Sequence, residues 1–394
     1  MKPRIALLPS ADLSYESGSV IQAKRLMRFL LAEGFDAWLL GSRSAPDFVD
    51  SAAAHVCVDP AVLDHPVIDD RPISDSELAR SLDASIAFLD RLHAERPVDL
   101  VHAQYLSFTS LAAVLFKRRA GCRVVLSCFG RDLTIGIPHD RRLAEMARES
   151  LAGIDLAICP NTSVEQALLA FAADCDVRLS TLVIPPSLDP EVVVQIPLES
   201  TPARPSLVTI NSCFTPEKGV DTTIAAFATV REHWPDAQLI IAGADDHPEQ
   251  INRTRLNAAV RTYGLEGNVQ FTGYVARRTV GSLLRACDLF VDARLIGNFS
   301  SVLLEAQFCG AATLASDLPS ARHIINEGEN GVLFEPGNVA DLTRKMLGLL
   351  QERRYREALS RHCAAWVTRE GNAYREEGAH ARMAALYLEL GTRP

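Results

Sequence analysis

Short apolar runs alternate with helical patterns along most of the chain. Leu289–Val291 is one such run, and the Gly/Asn-containing turn Arg294–Phe299 follows it. Ser300–Cys309 then has a helical pattern, and Ala312–Ser316 is a second apolar run. A strand, loop, helix and strand in this order predict one unit of a parallel sheet. The loop lies at the carboxyl end of a strand, where open α/β sheets bind ligands and helix N–H groups favour anions.

The alternation occurs in two blocks with a proline-rich segment between them. The first block runs from Arg4–Leu8 to Thr181–Ile184, and the second begins at Leu207–Asn211. Residues 185–205 carry six prolines and no periodicity, which indicates an interdomain linker. We therefore predict two doubly wound α/β domains, residues 1–187 and 206–374, with the linker at 188–205 and a helical tail. The cleft between two such domains is the expected site.

Two helix starts are marked by side chains that cap helices. Ser74 and Glu77 form a capping box that predicts a helix to about Glu95. Thr162 and Glu165 have the same spacing and predict a second capped helix. After the strand Arg123–Ser127, residues 128–137 are predicted to be a loop.

Composition and charge narrow the class of protein. The chain has 394 residues, 48% hydrophobic and 23% charged, with a net charge of −9. These values are ordinary for a soluble globular enzyme and argue against nucleic acid as the main partner. The apolar stretches are far shorter than the ~20 residues of a membrane span, and the amino terminus lacks the apolar core of a signal peptide. Nine cysteines without a C-x-x-C pair suggest reduced thiols and a cytoplasmic setting, and the histidines have no metal-ligand spacing.

Two features of the second block are candidates for anion binding. Lys218 lies in the loop Thr215–Gly219 at the start of a helix, where a lysine opposes the helix dipole unless an anion is present. The alternative is a solvated loop lysine. Ser300, Ser301 and Val302 open the helix after the apolar run, and their N–H groups suit a phosphate or sugar hydroxyls. The alternative is a capped helix with nothing bound.

Glu305 is an unexpected residue in its helix. It lies among apolar residues, where a carboxylate is costly to desolvate without a partner. A carboxylate can accept hydrogen bonds from two neighbouring hydroxyls, as a ribose presents them. A core ion pair between Glu305 and an arginine explains the pattern equally well.

The first block offers weaker candidates. Gly18, within Tyr15–Ser19, allows close approach of a ligand, although an ordinary turn glycine fits as well. Arg131 and Asp132 lie in a loop after a strand and suit contacts to an acceptor, or a surface salt bridge. In the second block, Asp245–Asp246 is predicted to be a turn rather than a pair of metal ligands.

Several stretches together resemble glycosyltransferase family 4, the retaining GT-B enzymes. They are PEKGVDTTIAAF, LIIAGADD, GLEGNVQFTGYV, CDLFVDA, NFSSVLLEAQFCGAATLASD and NEGENGVLFEPGN, with weaker matches in VVLSCFGRDL, IDLAICPNTS and VIPPSLD. The resemblance implies an α/β GT-B fold, two Rossmann-like doubly wound parallel-sheet domains facing across a cleft. It also implies a nucleotide-sugar donor bound mainly by the second domain and an acceptor held mainly by the first. The final helix, about 375–394, would join the first domain.

The resemblance assigns roles to particular positions. Lys218 matches a lysine that contacts the donor diphosphate, and Glu305 matches a glutamate that holds the nucleotide ribose. Other donor-binding positions are then Ser17, Gly18, Tyr274, Val275, Asn298, Phe299, Ser300, Ser301 and Val302, of which Tyr274 and Val275 fall where the backbone meets the base. The loop residues Phe129, Gly130 and Arg131 are the expected acceptor contacts, and Asp132 is expected to act in catalysis.

The chain departs from the family at positions that carry polar contacts. The family's arginine falls at Cys213, its first glutamate at Gly297 and its loop histidine at Phe129. The usual double glycine is Ser17-Gly18. Arg294 is a candidate for the missing catalytic cation, because it lies in the same loop after a strand; Arg131 is a weaker one.

These observations predict a retaining, metal-independent glycosyltransferase, a hexosyl- or related transferase. The donor is a UDP- or GDP-sugar used as substrate, with no cofactor, and the acceptor is a small molecule or a glycan. One alternative is a catalytically degenerate sugar-nucleotide-binding protein or partner subunit. Another is an isomerase on a similar scaffold. The sequence leaves the oligomeric state open, a homodimer included.

Overall fold

The computed structural model describes residues 2–9, 13, 18–43, 51–63, 73–194, 205–245, 249–297 and 299–391. The chain divides into two compact units. Unit 1 comprises Met1–Ser187 and Glu377–Pro394, and unit 2 comprises Leu188–Glu376. Each unit contains one parallel sheet with apolar clusters on both faces. The predicted fold class, doubly wound parallel α/β domains, is confirmed.

Unit 1 is built on a seven-stranded sheet. Its strands are β1 Arg4–Leu8, β2 Asp36–Gly41, β3 Val56–Val58, β4 Leu100–Gln104, β5 Arg123–Ser127, β6 Leu156–Cys159 and β7 Thr181–Val183. They pair in parallel in the order β3-β2-β1-β4-β5-β6-β7. The strand order reverses between β1 and β4, so the loops after these two strands flank the topological switch point where such sheets bind ligands.

In the described ranges of unit 1, six helices lie between these strands. They are α1 Gly18–Ala32, α2 Asp75–Glu95, α3 Phe108–Ala120, α4 Ile137–His139, α5 Arg141–Leu151 and α6 Thr162–Asp174. The capping box of α2 is formed as predicted, with the Ser74 N–H donating to Glu77 Oε2 at 2.8 Å. The predicted cap of α6 is wrong by one residue, because the N-cap is Asn161, whose Oδ1 accepts from the Val164 N–H. The predicted loop 128–137 contains a π-helical turn, Asp132–Gly136.

Unit 2 is built on a six-stranded sheet. Its strands are β8 Ser206–Ile210, β9 Gln238–Ala242, β10 Val269–Gly273, β11 Leu289–Asp292, β12 Thr313–Ser316 and β13 Val332–Phe334. All pairings are parallel, in the order β10-β9-β8-β11-β12-β13. The switch point therefore lies between β8 and β11.

The described residues of unit 2 form seven α-helices. They are α7 Pro190–Val193, α8 Val220–His233, α9 Ile251–Thr262, α10 Arg277–Ala286, α11 Ser301–Cys309, α12 Val339–Gln351 and α13 Arg353–Glu370. The start of the predicted linker is ordered, since α7 falls within it and the Leu188 and Val192 side chains are buried in the unit 2 core. Residues 195–204 of that linker lie outside the described residues.

The last helix, α14 Glu376–Gly391, contributes to the core of unit 1. Tyr387 is fully buried, and its hydroxyl lies 2.6 Å from His102 Nδ1 on β4. The other ring nitrogen of His102 lies 2.8 Å from Ser127 Oγ on β5. Burial lowers the pKa of His102 to about 3, so the imidazole is neutral at physiological pH. A continuous polar chain therefore ties the end of the sequence to two central strands.

Candidate functional site

Two loops of unit 2 meet at its switch point. One follows β8 and carries Lys218; the other follows β11 and carries Arg294. The Leu295 N–H donates to the Glu217 carbonyl at 2.9 Å, which joins the loops directly. Gly219 has a positive φ of 66°, and a Cβ built on it would overlap the Ala293 carbonyl oxygen. Glycine is therefore required for this close approach.

Lys218 lies at the end of a single 3-10 turn, Pro216–Lys218. Its N–H donates to the Thr215 carbonyl at 3.0 Å, and its side chain is half-buried. Gly219 is the N-cap of the 14-residue helix α8. The turn thus fixes a cation beside a helix amino terminus, an arrangement that favours an anionic ligand.

Arg294 is tied into its own loop. Its Nε lies 3.1 Å from Asp292 Oδ1, one terminal nitrogen donates to Ser300 Oγ at 2.6 Å, and the other to the Phe299 carbonyl at 3.4 Å. Ser300 Oγ in turn donates to Asp292 Oδ2 at 2.7 Å. The arginine therefore braces the loop, and Asp292 offsets part of its charge. The role of Arg294 as the missing catalytic cation stays a prediction.

The amino end of α11 lies beside this network. Ser300 is the N-cap, and its hydroxyl accepts from the Leu303 N–H at 3.1 Å. The N–H groups of Ser301 and Val302 lie in the first turn, where a helix provides no carbonyl partner. Two backbone donors are thereby aimed out of the helix end. Asn298, a predicted donor contact, lies outside the described residues.

Glu305 is buried on α11 and forms an ion pair with Arg277 of α10. Arg277 also pairs with Asp189, its Nε lying 3.2 Å from Asp189 Oδ2. Of the two interpretations that the sequence left open, the core ion pair with an arginine is present in unit 2. Contact between Glu305 and a ribose stays a prediction.

The positions assigned to the base lie after β10. Tyr274 is exposed, and its hydroxyl donates to the Ser212 carbonyl at 2.9 Å. Val275 packs against the apolar cluster that includes α10 and α11. The Gly243 N–H donates to the Gly273 carbonyl, which joins the ends of β9 and β10. Tyr274 therefore bridges the β10 loop to the loop that carries Lys218.

The departures at Cys213 and Gly297 have physical explanations. Cys213 is buried, with its Sγ 3.5 Å from Thr215 Oγ1, so its position faces the interior of the loop. A Cβ on Gly297 would lie 2.5 Å from Ser320 Oγ and 3.0 Å from Leu318 Cβ. The segment after β12 thus closes on the position where the family has its first glutamate.

We expect Gly297→Glu to lower stability rather than restore a contact. Overpacking of this kind costs about 1–3 kcal/mol, because Ser320 and Leu318 must move. Differential scanning calorimetry measures the loss, and the double variant Gly297→Glu with Ser320→Gly should recover part of it. An unchanged melting temperature in the single variant would show that the two segments are not packed as described.

In unit 1 the predicted acceptor loop is held from inside by Asp132. This carboxylate is fully buried and accepts hydrogen bonds from the Leu106 N–H at 2.8 Å and the Gly130 N–H at 2.9 Å. Burial raises the pKa of Asp132, against the lowering effect of these N–H groups. The surface salt bridge with Arg131 is therefore wrong, because Asp132 is buried, while a catalytic role for Asp132 stays a prediction. Asp132 joins the loops after β4 and β5.

The neighbouring loop residues are more accessible. Phe129 and Arg131 are half-buried, and the Phe129 ring packs on Tyr105 at 5.3 Å between centroids. Tyr105 has a φ of 70° and is hydrogen-bonded to Ser19 near the start of α1. Gly18 is the first residue of α1, and Ser17 lies outside the described residues. The loops after β4 and β5 and the start of α1 are thus connected.

Asp245 belongs to the pair that was predicted to be a turn rather than a pair of metal ligands. Asp245 accepts hydrogen bonds from the Arg253 N–H at 2.8 Å and the Asn252 side chain at 3.1 Å, both in the first turn of α9. Asp246 lies outside the described residues. Within the described residues, no group of three His, Cys, Asp or Glu side chains is placed to hold a metal ion.

The nine cysteines are free thiols. No helix in the described ranges has the length and apolar character needed to cross a membrane.

The sequence did not reveal Arg277, Asp189 and Asp292 as parts of the site. Arg277 follows the predicted base-binding pair by only two positions, but nothing in its local pattern indicates a partner. Asp189 lies in the proline-rich segment that was predicted to be a linker. Asp292 ends a buried strand, and a charged residue at that point was the one signal available.

Comparison with known proteins covers both units. Residues 17–192 match the model described as Glycosyltransferase Family 4, and residues 200–365 match the model described as Glycosyl transferases group 1. A phosphatidyl-myo-inositol mannosyltransferase of Mycolicibacterium smegmatis is 30% identical over 138 residues, 35% of this chain and 34% of that protein. The match thus spans about a third of this relative.

Solved structures share the fold over the full length. Sucrose-phosphate synthase from Thermosynechococcus elongatus superposes with a TM-score of 0.81 at 18% identity, covering 99% of each chain. Anabaena HepE in complex with UDP superposes with a TM-score of 0.73 at 18% identity, covering 97% of this chain and 99% of HepE. The two family models together account for most of both units. The chain belongs to the group 1 glycosyltransferases of the family 4 type.

Proposed function

We propose that the protein transfers a sugar from a nucleoside diphosphate sugar to a small-molecule or glycan acceptor, with retention of configuration and without a metal ion. The observation that carries the proposal is the placement of Lys218, the first N–H groups of α11 and Glu305 on the elements that follow β8 and β11, the strands at the switch point of unit 2. The relative named as a mannosyltransferase and the neighbour solved with UDP support a donor of this class.

The diphosphate of such a donor is the leaving group, and the protein must stabilise the negative charge that develops on it. As the bond from the anomeric carbon to the phosphate oxygen breaks, its electron pair goes to the phosphate. Lys218 and the N–H groups of Ser301 and Val302 would stabilise that charge, and Arg294 would hold the loop that presents them. Preorganised donors of this kind are worth about 3 kcal/mol each in the barrier.

Retention follows from the position of the attacking acceptor. The acceptor oxygen forms its bond to the anomeric carbon on the face that the phosphate leaves. Its proton passes to the departing phosphate oxygen, so no further base is needed. The expected acceptor contacts in unit 1 are Phe129, Gly130 and Arg131, at the loop that Asp132 braces.

One specific observation favours the rival function, a nucleotide-sugar binder or partner subunit without turnover. Cys213 and Gly297 stand where the family has an arginine and a glutamate, neither has a charged side chain, and the protein packs around both positions. The isomerase alternative has no such observation in its favour.

A panel of UDP-, GDP- and dTDP-sugars tests the function. Because a ligand at 100 times its Kd stabilises the folded state by about 2.7 kcal/mol, the matching donor should raise the melting temperature by several degrees. We expect that donor to be hydrolysed slowly by the protein alone, with release of the nucleoside diphosphate. NMR of the transferred sugar then reports its anomeric configuration.

The outcomes separate the candidates. Binding without hydrolysis or transfer to any acceptor would support the rival function, and a sugar altered without an acceptor would indicate an isomerase. An inverted product would contradict retention. Full activity of metal-free protein in the presence of EDTA is expected, and loss of activity that Mg²⁺ or Mn²⁺ restores would contradict the metal-independent mechanism.

A further inference from the structure

Arg277 of unit 2 is shared between two acidic side chains. It is the first residue of α10, and its guanidinium pairs with Glu305 Oε1 on one side and with Asp189 Oδ2 on the other. The exposed fractions of the side chains are 4% for Glu305, 11% for Asp189 and 22% for Arg277. Three charges are thus held largely away from water, where each is costly unless its partners are well aligned.

We propose that Arg277 is a positioning residue for the donor nucleotide, holding the Glu305 carboxylate ionised and oriented towards the two ribose hydroxyls. This inference rests on the proposed function, because it takes the ribose as the ligand of Glu305. Nothing in the sequence resemblance assigns a role to Arg277.

Glu305 needs such a partner because of its surroundings. Its side chain is only 4% exposed, and this burial penalises the charged form of the carboxylate. A protonated carboxyl group loses acceptor capacity and becomes a donor. An ionised carboxylate has about four acceptor sites, and the bond from Arg277 uses one of them. Glu305 can therefore accept hydrogen bonds from two hydroxyl groups only while its carboxylate is ionised.

Asp189 fixes the direction of the guanidinium. Its Oδ1 accepts from the Glu191 N–H at 2.9 Å and so caps α7, while its Oδ2 faces Arg277. The carboxylate is held at a helix end and cannot follow a displaced arginine. Because the guanidinium is planar and its donors point in fixed directions, an anchor at Nε also sets the terminal nitrogen that meets Glu305. A lysine at this position has no planar pair of donors with which to contact Asp189 and Glu305 in these directions.

The test measures discrimination between ribose and 2′-deoxyribose in the full chain. Binding of UDP is compared with binding of 2′-deoxy-UDP, or GDP with 2′-deoxy-GDP, according to the base that the protein accepts. Wild-type protein is expected to favour the ribonucleotide by about 10-fold or more, as for one hydrogen bond to a charged group. Glu305→Gln and Arg277→Met should each reduce the preference to about 2-fold or less. Arg277→Lys and Asp189→Asn should retain part of it.

Arg285→Met is the matched control. Arg285 lies on the same helix and donates to the carbonyls of Val192 at 3.1 Å and Val194 at 2.6 Å, so its loss also removes a cation that contacts the α7 segment. It makes no ion pair with Glu305. We expect this variant to keep the ribose preference of the wild-type protein even where its melting temperature falls.

Three results would overturn the assignment. Full ribose preference in Arg277→Met, with loss in Glu305→Gln, would show that Glu305 acts without Arg277 and would leave the proposed function intact. Equal loss in Arg285→Met would show a general effect of weakening this part of unit 2. If the wild-type protein showed no preference for ribose over 2′-deoxyribose, Glu305 would not bind the ribose, and the donor contact in the proposed function would be wrong.

Discussion

Replacing Lys218 with alanine is expected to lower turnover by about 100-fold or more while leaving the protein folded. The loss corresponds to one preorganised donor to the phosphate charge that develops as the glycosidic bond breaks. Lys218 is half-buried on a turn whose backbone is fixed by Thr215 and joined to the β11 loop through Glu217. Truncation of the side chain leaves those backbone bonds in place, so kcat should fall with little change in melting temperature.

Two further variants make the Lys218 result specific. Lys218→Arg keeps a cation at the site and should therefore recover part of the activity. The recovery should be incomplete, because a guanidinium group presents its charge differently from an ammonium group. Arg261→Ala removes an exposed cation from α9 of the same unit and should have activity near that of the wild-type protein. Near wild-type turnover in Lys218→Ala would remove this residue from the mechanism.

Gly219→Ala should cause the largest loss of stability among single changes at the site. Alanine at a φ of 66° costs about 1–2 kcal/mol, and the new Cβ overlaps the Ala293 carbonyl, which adds about 1–3 kcal/mol. For a domain of this size, a sum of about 3 kcal/mol lowers the melting temperature by roughly 6–12 °C. Because Ala293 begins the β11 loop, the change should also separate Lys218 from the end of α11 and weaken donor binding.

Gly264→Ala separates the two causes. Gly264 has a φ of 64°, but a Cβ built on it has no neighbour within 4 Å. This variant therefore measures the backbone cost alone, and its melting temperature should fall by only about 2–8 °C. If Gly219→Ala and Gly264→Ala lose equal stability in calorimetry, the close contact between Gly219 and Ala293 is absent in solution.

The sequence was sufficient to predict the two parallel sheets and most of their strands. Arg4–Leu8 and Arg123–Ser127 were predicted with the bounds that the structure has, and the apolar run Leu289–Val291 is one residue shorter than β11. Buried parallel strands are continuous apolar runs between polar turns, so their positions are visible locally. The position of the Lys218 and Arg294 loops followed as well, because both come directly after such strands.

The side-chain partners could not be predicted in the same way. Arg277 and Glu305 are 28 residues apart, and Asp189 is 88 residues from Arg277. Pairing over such distances depends on how α10, α11 and the segment before α7 pack. The burial of Asp132 was not foreseen, because an acidic residue in a loop after a strand is usually exposed, whereas here it accepts hydrogen bonds from the backbone N–H groups of two loops. Gly297 is explained by Ser320 and Leu318, which approach it from the loop after β12 and are more than 20 residues away in sequence.

A crystal structure of the protein with its donor nucleoside diphosphate tests the central assignment most directly. We expect the β-phosphate within hydrogen-bond distance of Lys218 Nζ and of the first N–H groups of α11. The ribose hydroxyls should lie on the Glu305 carboxylate while Arg277 still pairs with it. A nucleotide bound elsewhere, or bound with its diphosphate away from Lys218 and its ribose away from Glu305, would contradict the proposed site.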